Sequence, residues 1–382
     1  MQITAAVARS GRSTFSLEAV ELDPPRDDEI LVRVEAVGVC HTDLIARDGV
    51  LPSLRLPAVL GHEGVGVVTR VGQAVTKVGP GDRVLMTFRS CGECARCRRG
   101  DPAYCAAMPT LNYIGCRPDG STPFRCEDEP LSGAFFGQSS FATYALAYQR
   151  NVVGLPTDLP SELAAPLACG VQTGVGAVTR ALAAEPGSSL LVLGGGTVGL
   201  SAVMGAVLQS CATIIVAEPH AARRALAEDL GATQTLSAAP DDLTAAVRAI
   251  APLGVDHVVD TTGYPPLLEA AMGCLAPKGV LGLVGAPPPG TPLPGRIGPL
   301  LTFGQSVRGI IEGDSDPDTF IPELIAHWRA GRLPLEKLVK TFPFEHINEA
   351  IEAQHRGECV KVVLRMPDGP PHRETTTTAG RK

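Results

Sequence analysis

A glycine-rich turn between a predicted strand and a predicted helix constrains the fold of this chain more than any other feature. Residues 188–193 have the apolar pattern of a buried strand, and residues 198–210 are predicted as a helix. Further strands are predicted over residues 212–217, 255–260 and 279–285, with a helix over 221–230 after the second strand. Strands that alternate with helices in this way specify a parallel, doubly wound α/β sheet.

The turn itself has the spacing of a dinucleotide-binding site. Gly194 permits the tight turn, Gly196 lets a pyrophosphate approach the backbone, and Gly199 allows the helix to pack closely on the strand. Glu218 ends the next predicted strand, where a carboxylate accepts hydrogen bonds from the adenosine ribose. Because this carboxylate would repel a 2′-phosphate, the sequence favours NAD over NADP, although Arg223 lies nearby.

Four cysteines lie within fifteen residues of the N-terminal half. They could pair as disulfides or bind one tetrahedral metal ion together. Zinc with four sulfur ligands has no open coordination position, so such a site is structural rather than catalytic. The four residues are Cys91, Cys94, Cys97 and Cys105.

Length, charge and cysteine number limit the classes of protein to which this chain can belong. A chain of 382 residues is too long for one hydrophobic core, which predicts two domains. The balance of 33 basic and 40 acidic residues gives no electrostatic reason to expect a nucleic acid or an anionic membrane as partner. The apolar stretch 190–217 is interrupted by five glycines, which argues against a membrane span. Eleven cysteines, with no export signal at Met1, predict reduced thiols and a soluble cytoplasmic protein.

Six motifs occur in a fixed order along the chain: Gly38-Val-Cys40-His41-Thr42-Asp43, Gly61-His62-Glu63-Gly64, Gly79-Pro-Gly81-Asp82, the four-cysteine loop, Cys169-Gly-Val-Gln-Thr173 and the glycine-rich turn. Together they resemble the motifs of the zinc-dependent, medium-chain alcohol dehydrogenases. The resemblance covers nearly the whole chain to about residue 365, and two longer stretches, residues 169–177 and 308–317, are similar to the bacterial aryl-alcohol branch. It implies a mainly β, GroES-like catalytic domain (residues 1–170 and 310–366) beside a Rossmann NAD-binding domain (171–309). Residues 367–382, rich in Pro and Thr, are predicted to be disordered.

The resemblance also implies a second zinc site, which would be catalytic. Its ligands are far apart in the sequence, so spacing alone would not predict that they bind one ion. Cys40, His62 and Cys169 match the three protein ligands, which leaves a fourth position for water or substrate. Glu63 matches an acidic neighbour that approaches the metal during ligand exchange, and Asp43 matches the carboxylate that orients the histidine ligand.

The implied mechanism is Lewis-acid catalysis of hydride transfer. The zinc binds the alcohol oxygen, the proton leaves through the Thr42 hydroxyl, and the hydride passes to the nicotinamide. Many members carry a proton-accepting histidine three residues after this hydroxyl, where this chain has Ile45. The proton would then leave through ribose hydroxyls and water or through another base, for which His41 is a candidate.

The resemblance also assigns further contacts to NAD. His41 and Lys361 match positions at the phosphates, and Thr173, Val284 and Ala286 match positions around the nicotinamide. The complete predicted NAD-binding set is His41, Thr173, Gly194, Gly196, Thr197, Val198, Gly199, Glu218, Arg223, Val284, Ala286 and Lys361.

The leading predicted activity is reversible oxidation of a primary aryl or allylic alcohol such as benzyl alcohol, with geraniol open. A dehydrogenase for a thiol–formaldehyde adduct, or for a pathway-specific aldehyde of secondary metabolism, is the alternative. A catalytically silent NAD-binding protein is a remote alternative, which the complete ligand set of Cys40, His62 and Cys169 disfavours. Two zinc ions per chain and a homo-oligomer, a dimer or a tetramer, are also expected.

Overall fold

The computed structural model describes residues 1–11, 14–237 and 239–367, so nearly all of the predicted disordered tail lies outside the described residues. The strands in the described part are β1 (Gln2–Ala8), β2 (Ser16–Leu22), β3 (Glu29–Gly38), β4 (Ala58–Val59), β5 (Gly64–Val71), β6 (Arg83–Met86), β7 (Phe124–Cys126), β8 (Glu129–Leu131), β9 (Tyr144–Tyr148), β10 (Val152–Gly154), β11 (Ser189–Leu193), β12 (Thr213–Ala217), β13 (Gln234–Leu236), β14 (Val255–Asp260), β15 (Leu275–Leu283), β16 (Ser306–Gly309), β17 (Val339–Pro343) and β18 (Lys361–Arg365). The α-helices are α1 (His41–Arg47), α2 (Ala95–Arg98), α3 (Met108–Asn112), α4 (Ser161–Ala164), α5 (Gly170–Gly176), α6 (Thr197–Leu208), α7 (Ala221–Asp229), α8 (Pro240–Ile250), α9 (Pro265–Cys274), α10 (Ile297–Phe303), α11 (Pro317–Arg329) and α12 (Ile347–His355).

Six parallel strands form the sheet that the alternating pattern predicts. Their order is β13-β12-β11-β14-β15-β16, so the chain runs outward from β11 first in one direction and then in the other. In register, Leu191 of β11 pairs with Ile215 on one side and with Val258 on the other. The two directions meet between β11 and β14, where open α/β sheets bind their ligands. This Rossmann arrangement confirms the predicted fold class.

The predicted elements of this sheet differ from the observed ones mainly at glycines and prolines. Strand β15 begins at Leu275, ahead of the predicted start at Gly279, and includes Pro277. Its register against β14 is irregular at its beginning, where Val255 pairs with Leu275 and His257 with Val280. Helices α8 and α9, both begun by a proline, were not predicted.

The N-terminal strands form two mainly antiparallel sheets, which make up the GroES-like part of the fold. One has the order β4-β1-β2-β7-β8, and the other has the order β10-β6-β5-β3-β18-β17 with β9 also paired to β3. Strand β18 pairs antiparallel with β3, so the end of the described chain returns to the N-terminal sheet. Together these sheets and the parallel sheet confirm the mixed architecture.

None of the helices in the described ranges is both long enough and apolar enough to cross a bilayer. The long apolar stretch that begins at Leu190 is divided into β11, α6 and β12, each of which is largely buried in the protein. Its hydrophobicity is therefore used to pack the parallel sheet against its helices.

Candidate active site

Four side chains from three separate segments of the chain converge in one cluster. Cys40 lies at the start of α1, and Cys169 at the start of α5. His62 and Glu63 lie in the turn before β5, which bends at Gly61 with a φ of 90°. One ligand atom of each of these four residues lies within 4.8 Å of the others. The structure thus brings together residues that the sequence alone could not unite.

The carboxylate of Asp43 organises two of these side chains. Its Oδ1 atom accepts hydrogen bonds from His62 Nδ1 (2.8 Å) and from the Gly61 amide (3.1 Å), and its Oδ2 atom accepts one from the Cys40 amide (3.0 Å). Asp43 is fully buried. Because the bond at Nδ1 fixes the tautomer of the imidazole, His62 presents Nε2 to the other three side chains.

The donor set fits a metal ion that is bound by sulfur and nitrogen. His62 Nε2 is buried and has no hydrogen-bond partner among the described residues. The hydrogen bond between the two thiols holds the pKa of Cys40 well below its usual value and raises that of Cys169 well above it. A coordinated cation would deprotonate both sulfurs. Two thiolates and one imidazole are a typical zinc ligand set.

Glu63 lies in the same buried cluster and forms an ion pair with Lys361. Burial raises the pKa of Glu63 to about 7, although the positive charge of Lys361 opposes this. The Lys361 ammonium is 1% exposed and also donates a hydrogen bond to the Val39 carbonyl (3.0 Å). In this structure the Lys361 ammonium therefore pairs with the Glu63 carboxylate. The predicted contact of Lys361 with the NAD phosphates stays a prediction.

The side chains predicted to move the proton lie at the beginning of α1. Thr42 Oγ1 lies 3.7 Å from Cys40 Sγ, so the hydroxyl is beside the cluster. His41, the first residue of the helix, is exposed. Ile45, one turn later, is only partly buried and offers no titratable group.

The four-cysteine loop forms a second compact cluster of sulfur atoms. The ligand atoms of Cys91, Cys94, Cys97 and Cys105 all lie within 4.8 Å of one another. Backbone amides surround the sulfurs, and donors from Cys97 and Ala106 lower the pKa of Cys94 to about 6. Donors of this kind stabilise the thiolate form, which is the form that binds zinc. The loop is suited to a structural zinc ion.

The glycine-rich turn has the geometry of a dinucleotide site. Gly194 has a φ of 95°, which a residue with a side chain rarely adopts. A Cβ atom at Gly199 would lie 1.9 Å from the Gly194 carbonyl oxygen, so only glycine permits the observed helix–strand contact. A Cβ atom at Gly196 would meet nothing within 4 Å, which leaves the start of α6 open to a ligand.

Glu218, at the end of β12, points its carboxylate back towards this turn. Its Oε2 atom accepts a hydrogen bond from the Gly195 amide (2.7 Å), and its Oε1 atom accepts two from His220, through the amide (2.9 Å) and Nδ1 (2.5 Å). Arg223, on α7, lies beside Gly195 and Glu218. A negative charge is therefore held at the position where the ribose contact is predicted.

The remaining predicted NAD contacts lie on α5, at the start of α6 and just after β15. Thr197 and Val198 begin α6, and Thr197 Oγ1 donates to the Val360 carbonyl (3.3 Å). Val284 and Ala286 follow β15, and the Val284 amide donates to Asp260 (2.9 Å). Thr173 lies on α5, one turn after Cys169, and is nearly buried.

Glu312 is a buried carboxyl group beside the cluster that the sequence analysis did not include among the site residues. Its Oε1 atom lies 4.0 Å from Cys169 Sγ, and its Oε2 atom lies 3.3 Å from Gln172 Nε2 and 3.5 Å from Thr173 Oγ1. Burial raises the pKa of Glu312 to about 8. Glu312 lies in one of the two stretches that resemble the aryl-alcohol branch, residues 308–317, and this resemblance was the available signal.

Aromatic rings enclose the imidazole of His62. The ring of Phe136 stacks on it with a centroid distance of 4.4 Å, and Phe135 packs edge-on at 5.8 Å. Tyr113 in turn packs edge-on against Phe136 at 5.5 Å. These rings give the site a rigid apolar side.

Comparisons with known proteins agree with this geometry. Residues 26–157 match the alcohol dehydrogenase GroES-like domain, and residues 197–327 match the zinc-binding dehydrogenase family. A geraniol dehydrogenase of Castellaniella defragrans is 46% identical over 362 residues, which cover 94% of this chain and 96% of that protein.

Solved structures agree as well. The benzyl alcohol dehydrogenase of Acinetobacter calcoaceticus superposes with a TM-score of 0.91 at 38% identity, over 96% of this chain and all of that one. A zinc-binding dehydrogenase of Sinorhizobium meliloti 1021 bound to NADP superposes with a TM-score of 0.77 at 25% identity, over 96% of this chain and 99% of that one. The fold, both sulfur-containing clusters and these matches together place the chain in the zinc-dependent, medium-chain alcohol dehydrogenase family.

Proposed function

We propose that this enzyme transfers a hydride reversibly between a primary aryl or allylic alcohol and NAD. The cluster of Cys40, His62 and Cys169, with a buried imidazole nitrogen left free by Asp43, is the observation that carries the proposal. The aromatic rings packed on His62 make this side of the site apolar, which suits an apolar substrate. The names of the geraniol and benzyl alcohol dehydrogenases point in the same direction.

In this proposal Cys40, His62 and Cys169 hold the catalytic zinc, and Cys91, Cys94, Cys97 and Cys105 hold the structural one. A zinc ion in the first position supplies a Lewis acid, which makes an alcohol hydroxyl easier to deprotonate. The Thr42 hydroxyl accepts that proton, and water or ribose hydroxyls carry it onward because Ile45 cannot. Asp43 keeps His62 in the ligating tautomer.

For the cofactor, we propose that residues 194–199 bind the pyrophosphate and that Glu218 binds the adenosine ribose. The open space at Gly196 and the unpaired amides at the start of α6 suit a phosphate group. The Glu218 carboxylate disfavours a 2′-phosphate, so NAD is preferred, even though the Sinorhizobium meliloti neighbour was solved with NADP. His41, Thr173, Val284 and Ala286 contact the remaining parts of the cofactor.

We propose further that residues 1–170 and 310–366 form the catalytic domain and residues 171–309 the NAD-binding domain. The return of β18 to the N-terminal sheet supports this division. The chain forms a homo-oligomer, which the apolar side chains exposed around α10 support. Because both metal clusters need reduced thiols, the cytoplasm is the compartment that suits the enzyme.

The test is NADH absorbance during turnover of benzyl, cinnamyl, geranyl and short aliphatic alcohols by the zinc-loaded protein. We expect the highest kcat/KM for an aryl or allylic alcohol with NAD, and a much lower value with NADP. A higher kcat/KM for a thiol–formaldehyde adduct or for a short aliphatic alcohol would contradict the substrate class. No turnover of any alcohol or aldehyde, at two zinc ions per chain, would contradict the enzyme function.

A further inference from the structure

A strained turn after β16 lies against α5, beside the predicted zinc ligands. Three successive residues, Glu312, Gly313 and Asp314, have positive φ values of 48°, 65° and 51°. Residues with a Cβ atom seldom adopt this left-handed conformation, and two of the three have one. Such a turn persists only where its surroundings hold it in place.

The backbone of this turn is in direct contact with the backbone of α5. A Cβ atom at Gly313 would lie 2.4 Å from the Gln172 carbonyl oxygen, and one at Gly176 would lie 2.4 Å from the Gly313 carbonyl oxygen. The buried Ser315 hydroxyl is within 2.6 Å of the Glu312 carbonyl oxygen and 3.2 Å of Gln172 Oε1. The turn and the helix are therefore packed directly against each other.

The Glu312 side chain extends from this turn into the active site. It hydrogen bonds with the side chains of Gln172 and Thr173, at 3.3 and 3.5 Å, and lies 4.0 Å from the sulfur of Cys169. Cys169 is a predicted zinc ligand, and Thr173 is a predicted nicotinamide contact. A displacement of the turn would therefore displace both Cys169 and Thr173. Hydride transfer requires that the groups around the reacting atoms are correctly placed.

The opposite side of the turn is held by the four-cysteine loop. Tyr104 directly precedes Cys105, and its hydroxyl donates a hydrogen bond to the Asp314 carboxylate. The same hydroxyl lies 3.2 Å from the Gly309 carbonyl oxygen at the end of β16. A zinc ion bound by Cys105 and the other three cysteines would hold the loop in place at the residue next to Tyr104.

We propose that Glu312 is a positioning residue of the active site, and that Tyr104 couples the four-cysteine loop to it by holding Asp314. The proposal rests on the alcohol dehydrogenase function proposed above. It gives the structural zinc site a role in catalysis beyond stability. The chain of contacts runs from Cys105 through Tyr104, Asp314 and Glu312 to Cys169.

The coupling is tested by Tyr104→Phe, Asp314→Ala and the double variant of the zinc-loaded protein. Amide hydrogen exchange of the peptide covering residues 305–320 is the readout that needs no turnover. Each single variant should exchange faster in this peptide and lose between about twofold and tenfold in kcat/KM, the effect of one hydrogen bond. The double variant should lose no more than the larger single effect, because both substitutions break the same bond.

Asp158→Asn is the matched control, because Asp158 forms an exposed ion pair with Arg329 (2.6 Å) that lies outside this chain of contacts. It should leave the exchange of residues 305–320 and kcat/KM unchanged. Wild-type exchange of that peptide in Tyr104→Phe, or an equal loss in Asp158→Asn, would overturn the coupling. If the wild-type protein turned over no alcohol, the proposed function would be wrong. The exchange result would still show whether the contact between Tyr104 and Asp314 stabilises the turn.

Glu312 itself is tested by comparison of Glu312→Gln with Glu312→Ala. A glutamine retains an oxygen that accepts from Gln172 and Thr173, so it should keep kcat within about threefold of wild type. Alanine should lower kcat by more than about tenfold, with two zinc ions per chain retained and the melting temperature close to that of Glu312→Gln. Equal kcat values for both variants would overturn the positioning role.

Discussion

The Nδ1 atom of His62 lies 2.8 Å from Oδ1 of Asp43, and both side chains are fully buried. The Asp43 charge, together with this bond, outweighs burial and raises the pKa of His62 well above its usual value. With a metal ion at Nε2, the same bond would hold a neutral imidazole whose free nitrogen is directed at the metal.

Replacement of Asp43 by asparagine should weaken zinc binding at the catalytic site by about 10-fold to 100-fold. The amide keeps the shape of the carboxylate but loses the charge that makes the imidazole a stronger ligand. Competition with a chelator, followed by zinc analysis, measures this effect. The four-cysteine site serves as the internal control and should keep its zinc at the same chelator concentration; a wild-type affinity at both sites would contradict the role of Asp43.

Replacement of Cys169 by alanine should abolish turnover and reduce the zinc content from two ions to one. The remaining Cys40 and His62 are too few to hold the ion in a catalytic geometry. Far-UV circular dichroism should be unchanged, because only the start of α5 is affected. Cys274→Ala removes a buried thiol distant from both clusters and should retain both zinc ions and activity. Substantial activity in Cys169→Ala would remove Cys169 from the site.

Replacement of Cys97 by alanine should chiefly lower stability. A closed zinc site contributes its binding free energy to folding, so its loss should lower the melting temperature by more than about 5 °C. Thermal unfolding with the zinc content determined in parallel measures this change. An unchanged melting temperature would mean that the four-cysteine loop is not a structural metal site.

The sequence predicts the parts of this molecule that depend on local pattern. The buried strand β11, the turn at Gly194 and the helix α6 follow from apolar runs and glycines, and all three are observed. The proximity of Cys40 and Cys169 could not be derived in this way, because it depends on how α1 and α5 pack in the folded protein. That proximity was predicted only from the resemblance to the family. The role of Glu312 was missed because it depends on a left-handed turn that only tertiary contacts maintain.

The environment of the Glu218 carboxyl group should make the stability of the protein depend on pH. Although burial opposes it, hydrogen bonds from His220 and Gly195 lower the pKa of Glu218 below its ordinary value of 4.5. A carboxyl group with a lowered pKa in the folded state stabilises the protein above its unfolded pKa and loses this effect as the pH falls through the folded pKa. The free energy of unfolding should therefore be higher for wild type than for Glu218→Gln at pH 7.

The difference between wild type and Glu218→Gln should shrink below about pH 4.5, where the unfolded carboxyl becomes protonated. Urea unfolding of both proteins at several pH values measures it, and loss of zinc at low pH affects both alike. A difference that stays constant through this range would contradict the lowered pKa of Glu218.

The surface around α10 predicts self-association. Leu293, Ile297 and Leu301 are 81%, 82% and 83% exposed, and Phe303 is half exposed. Helix α10 buries none of its residues, and it precedes β16, the edge strand of the parallel sheet. Exposed apolar patches and unpaired edges are typical of protein interfaces, so a second copy of the chain is the expected partner.

Leu301→Glu should therefore lower the molar mass in light scattering from that of an oligomer towards that of a monomer, because a charge would be buried in the interface. Leu17→Glu is the matched control: Leu17 is 41% exposed but lies on β2, in an N-terminal sheet that is separate from the parallel sheet. It should leave the molar mass unchanged. A monomeric wild-type protein, or an oligomer that persists in Leu301→Glu combined with Ile297→Glu, would show that α10 is not the interface.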